Sequence, residues 1–147
     1  MNRRVLMFIM VLLLGLGGCA TNGYQGIKPE AYPATRKAFD VTIGWKKALT
    51  GNGMTVEGYA RNNRYFIIKG LELRVSLIAP DGAAKTSESF LFSPLELRQD
   101  EMAPFAVVLR VPPQPGDRLR FDYRYLAVED SENSQTWLDS FEVKALD

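Results

Sequence analysis

From residue 39 onward apolar residues fall at every second position, segment after segment, and almost no stretch carries a helical period. Phe39, Val41, Ile43 and Trp45 alternate with Asp40, Thr42 and Gly44. Met54, Val56, Gly58 and Ala60 alternate with Thr55, Glu57, Tyr59 and Arg61, and Leu71, Leu73, Val75 and Leu77 with Glu72, Arg74 and Ser76. Side chains on a strand point alternately to opposite faces, so this pattern predicts strands with one buried face. Later segments repeat it: residues 86–92 with Phe90 and Phe92, then Phe105, Val107, Leu109 and Val111. Leu119, Phe121, Tyr123 and Tyr125 follow, against Arg118, Arg120, Asp122 and Arg124, and finally Trp137, Asp139, Phe141 and Val143.

Turn chemistry separates the segments. Gly51-Asn52-Gly53, Asn62-Asn63, Pro80-Asp81-Gly82 and the proline cluster at residues 112–116 each interrupt the alternation. Residues 95–101 fit either a short strand or a turn. Seven to eight strands at this spacing predict an all-β, antiparallel, immunoglobulin-like sandwich, and prolines at strand ends fit open edges better than a closed barrel.

Ahead of the strands lies a different kind of sequence. Arg3 and Arg4 precede an apolar run over residues 5–14, too short for the roughly 20 residues a spanning helix needs. It ends in Leu16-Gly17-Gly18-Cys19, which contains the only cysteine. This stretch resembles the lipobox of bacterial lipoproteins. The resemblance implies a signal peptide over residues 1–18 and a diacylglycerol thioether and acylated amine on Cys19. With Ala20 rather than aspartate next, it implies delivery to the periplasmic face of the outer membrane. Residues 19–36, with Gly23, Gly26, Pro29 and Pro33, form a flexible tether, and residues 37–147 the sandwich.

Within the sandwich, three pieces are similar to immunoglobulin-like envelope modules of the FxLYD type. They are residues 56–63 ending in Asn62-Asn63, residues 73–77 before Pro80-Asp81-Gly82, and Asp100-Glu101 before Pro104-Phe105. Ile78-Ala79-Pro80-Asp81 stands where that family carries an aromatic before the aspartate. Such modules are accessory or adhesive, so the resemblance implies a binding role.

Chemistry is constrained by what the chain lacks. It has no histidine, which excludes Ser-His-Asp and Cys-His catalysis and imidazole-held metals. The glycine-rich pieces open no helix and cannot cradle phosphate. No carboxylate pair stands out as a hydrolase motif. Glu129, Asp130, Glu132 and Asn133 offer oxygens that Ca²⁺ accepts, yet their spacing matches no EF-hand and fits a charged hairpin tip. No catalytic residue, resident metal or cofactor is expected. Without Arg3 and Arg4 the 18 basic residues become 16 against 17 acidic ones, so no field draws the mature chain to nucleic acid.

The candidate surface consists of Trp45, Arg118, Arg120, Tyr123, Arg124 and Trp137, three cations among aromatics. Their ordinary uses compete with a binding role: arginines pair across strands with Glu72, Asp122, Asp139 or Glu142, and aromatics fill a core. The expected function is that of a lipid-anchored, non-enzymatic module that binds another envelope protein through a strand edge or end loops. The alternative is a carrier of small ligands or glycans with a pocket lined by Trp45, Tyr123 or Trp137.

Overall fold

The computed structural model describes residues 26–130 and 133–146. Cys19, the lipobox and the first part of the tether lie outside them. Nine strands form two antiparallel sheets: β1 (Ala34–Lys37), β2 (Val41–Thr50), β3 (Gly53–Asn62), β4 (Ile67–Ile78), β5 (Ala84–Leu91), β6 (Glu96–Leu97), β7 (Met102–Leu109), β8 (Arg118–Val128) and β9 (Ser134–Lys144). One sheet has the order β1-β2-β3-β7, the other β5-β4-β8-β9, with the short β6 beside β4. The chain is therefore an antiparallel β-sandwich.

The alternating apolar residues meet between the sheets. Val56, Leu73, Val75, Leu77, Leu109, Leu119 and Phe121 are all fully buried, each contributing about 1.5–3 kcal/mol relative to exposure. On β8 the rhythm is unbroken, with Leu119, Phe121, Tyr123, Tyr125 and Ala127 inside and the arginines outside. Turn residues act where expected. Gly82, at φ +90°, closes the β4–β5 turn, and Asp81 Oδ1 accepts the Ala83 amide at 3.0 Å. The proline cluster stays in the β7–β8 connection. Residues 95–101 resolve into β6 and a turn through Asp100, a non-glycine at φ 65°.

Several expectations need correction. The sheet starts at Ala34, inside the segment read as tether, because Ala34–Lys37 pairs with residues 42–45 of β2. Phe39 does not share the apolar face of β2; it precedes the strand, is 65% exposed, and carries the Arg64 guanidinium 3.9 Å above its ring. Residues 41–45 are buried on both faces rather than one. The outer face is covered because Gly44 leaves room for the Tyr59 ring, on which Tyr32 packs edge-on at 5.4 Å. A ring laid across a glycine restores the apolar contact that the missing side chain gives up.

Candidate functional site

The six candidate surface residues fall into three separate places. Arg118, Arg120 and Arg124 project from the outer face of β8, and carboxylates answer them. Arg124 binds Glu72 through Nε at 2.9 Å and Nη2 at 2.6 Å, while Arg118 and Arg120 reach Glu142 at 3.3 and 3.5 Å. Arg120 also approaches Asp122 at 3.8 Å. Arg120, Arg124 and Arg74, which donates to Ser89 at 3.4 Å, flank a shallow groove of about 730 Å³. Its cations are largely neutralised within the protein, so it does not form a strong anion site.

Trp45 and Tyr123 belong to the interior, which corrects their reading as surface residues. Trp45 is buried against Phe121 at 5.0 Å and Phe141 at 5.5 Å, and those two rings stack at 4.8 Å. Tyr123 and Tyr125 converge on the buried Asp40: Tyr125 donates to Oδ2 at 2.6 Å, and the Tyr123 hydroxyl lies 3.1 Å from Oδ1 and 3.2 Å from Asp139. Burial, reinforced by the Asp40 and Asp139 charges, pushes the Tyr123 hydroxyl far above the usual phenol range; burial and Asp40 do the same for Tyr125. Both remain protonated donors that pin the β1–β2 connection to β8.

Trp137 stands apart, on β9 and 36% exposed, at the margin of the second sheet. The strand forms as predicted, but the sandwich does not cover its inner side: β1 is four residues long and β9 eleven. Phe141 and Val143 are half-buried, whereas Trp137 and Asp139 are exposed. On the outer side Leu138 is 71% exposed, with the partly exposed Leu126 beside it on β8.

The backbone of β9 has an unused side. Glu129 donates to the Asn133 carbonyl at 3.1 Å and Ala145 donates to the Asp117 carbonyl at 3.0 Å, so odd-numbered residues face β8. Even-numbered N–H and C=O groups therefore point away from the sheet, a parity that two further contacts match. Ser140 N–H donates to Asp139 Oδ1 at 2.8 Å, and Lys47 Nζ donates to the Lys144 carbonyl at 3.3 Å. Among the described residues, Ser134, Thr136 and Leu138 have no ladder partner on that side.

The other margins are less inviting. β1 is short, β7 carries Pro104, and β5 carries Lys85 and Glu88, all familiar ways of blunting an edge. β9 has no proline, and no lysine before Lys144. A cleft of about 320 Å³ opens beside its first half, between Phe66, Glu129, Gln135 and Trp137. Of the residues forming this edge, sequence reading picked out Trp137 alone. One signal it passed over is charge: residues 125–143 contain Glu129, Asp130, Glu132, Asp139 and Glu142 and no lysine or arginine.

At the tip of the β8–β9 connection, Asp130 accepts the Asn133 amide at 2.9 Å and its side-chain Nδ2 at 2.8 Å. This is turn capping. Among the described residues, no group of three or more acidic or thiol side chains is gathered for a metal.

No family model matches the chain, and no curated protein does. Among solved structures, it is similar to the GAE domain of yeast GGA1, with 13% identity and a TM-score of 0.45, over 74% of this chain and 95% of that one. It is also similar to the GAE domain of GGA2p from Saccharomyces cerevisiae, with 10% identity and a TM-score of 0.46, over 75% of this chain and 97% of that one.

Proposed function

We propose that this protein is a lipid-anchored interaction module of the cell envelope, which holds a partner protein by adding one of its strands to the edge of β9. The observation that carries this reading is the edge itself: eleven residues with no further strand beside them among the described residues, and with Trp137 and Leu138 exposed. Strand addition draws affinity from main-chain hydrogen bonds and selectivity from side-chain pockets next to them. The tether reading rests on Leu16-Gly17-Gly18-Cys19, and two acyl chains suffice for stable anchoring where one does not.

A carrier of small ligands or glycans fits less well. Trp45 and Tyr123 fill the core, and the two tryptophans share no cavity. Two variants test the two halves of the proposal. Cys19→Ser releases the protein from the membrane fraction if Cys19 is the anchor. Leu138→Lys, at a position that bears no core load, removes a crosslinked partner adduct recovered from native membranes. Retention of Cys19→Ser in the membrane contradicts the tether, and an undiminished adduct in Leu138→Lys contradicts the edge.

A further inference from the structure

We infer that the half of β9 spanning residues 134–138 receives a basic, extended peptide segment of the partner, whose inward side chain seats beside Trp137. This rests on the strand-addition reading and narrows it to a place and a chemistry.

The place follows from which edge groups are free. Beyond Leu138 the edge is partly closed by the protein's own side chains: Asp139 occupies the Ser140 N–H, and Lys47 occupies the Lys144 carbonyl. Only the Ser134, Thr136 and Leu138 side of the ladder is uninterrupted. An incoming strand paired there alternates its side chains between two environments. Those on the inner side meet Trp137 and the cleft next to Phe66 and Glu129. Those on the outer side meet Leu138 and Leu126, both exposed, and Arg124, which stands opposite Leu138 and is held by Glu72.

The chemistry follows from charge. Residues 125–143 contain no lysine or arginine, and although Glu142 is paired with Arg118 and Arg120, Glu129 lines the cleft and Asp139 follows Trp137 on the same face of β9. A second copy of this chain is a poor occupant. Antiparallel pairing centred on Thr136 sets Asn133 of one copy against Asp139 of the other and Val143 against Glu129, so it brings no cation to either carboxylate. A segment that alternates apolar residues with Lys or Arg pairs with the outward amides of Thr136 and Leu138, fills the cleft and sets its cations near Glu129 and Asp139.

A random heptapeptide phage library, panned on the mature protein in detergent micelles, tests this. The expected winners alternate apolar residues with Lys or Arg, and their binding weakens with added salt. Thr136→Pro removes an outward N–H while leaving the β8 ladder intact, so affinity for these peptides falls at least ~10-fold, as loss of a hydrogen bond with its unpaired acceptor implies. Ser140→Pro removes an N–H already taken by Asp139 and changes affinity by less than about threefold. Should Thr136→Pro melt early, Leu138→Lys supplies the same reading through charge and bulk. Winners that are acidic or neutral, or that bind Thr136→Pro unchanged, overturn the inference. If the winners are acidic or neutral while Leu138→Lys still loses its membrane adduct, strand addition stands and only the basic class falls; an undiminished adduct in Leu138→Lys as well ends both.

Discussion

Asn62 has no exposed surface, and its side chain completes three backbone groups at the junction of four segments. Nδ2 donates to the Phe66 carbonyl at 2.7 Å and the Leu97 carbonyl at 3.0 Å, while Oδ1 accepts the Arg64 amide at 2.8 Å. Asn62→Ala leaves those groups unpaired in the interior and should cost about 2–3 kcal/mol, measured by urea unfolding. Asn63 does the neighbouring task, donating to the Ala38 carbonyl at 3.1 Å and accepting from the Thr42 hydroxyl at 3.0 Å. The sequence marks this pair as a turn signal but not as a junction, because its partners lie up to 35 residues away. Asp117 is a second such residue. Burial raises its carboxyl pKa, yet Lys85 at 2.6 Å and the Gln114 amide at 2.8 Å outweigh burial and hold it below the usual value. A depressed folded pKa gives stability above the unfolded value, near 3.8, that is lost as pH falls through the folded one. The stability gap between wild type and Asp117→Asn should therefore be full at pH 7 and shrink below about pH 3.8, read as melting temperature against pH.

At the scale of elements, alternation was a sufficient guide wherever a strand has one wet face. Leu71 to Leu77 on β4 and the whole of β8 follow it residue by residue. It misled at Phe39, where the chain is still turning and the ring serves Arg64 instead, and at residues 41–45, where Tyr59 and Tyr32 bury the face the pattern assigns to water. β4 was longer than its pattern indicated. Its register against β8 shifts between Lys69 and Glu72, and Gly70 sits in the shift at φ +58°. Gly70→Val should cost about 1–2 kcal/mol through left-handed backbone strain alone, since nothing lies near the added Cβ. The β1–β2 connection depends on two neutral phenols at Asp40. Their raised folded pKa values give stability that is fully present below the ordinary phenol value near 10 and is lost progressively as pH rises above it toward the folded values. Alkaline unfolding should begin near pH 10, and replacing Tyr123 and Tyr125 with Phe should flatten that limb while lowering stability at pH 7, since Asp40 loses its donors.

For the molecule as a whole, the sandwich was legible in the sequence because its core is carried by local alternation and its turns by residues with fixed conformational preferences. The candidate site was less so. Three of the six proposed surface residues do lie on the outer face, but Trp45 and Tyr123 are core, and the edge that Trp137 shares with Leu138 depends on which strand ends the sheet. Strand order is set by contacts between distant segments, and an exposed N–H leaves no mark on composition. The proposed function puts recognition on β9. Site-specific photo-crosslinking in native membranes tests that placement most directly, with the photoreactive residue at 138 on β9 and, for comparison, at 108 on β7 and at 91 on β5. A discrete adduct from position 138 alone is the predicted result; adducts of equal yield at all three positions, or at 108 or 91 in preference to 138, would contradict it.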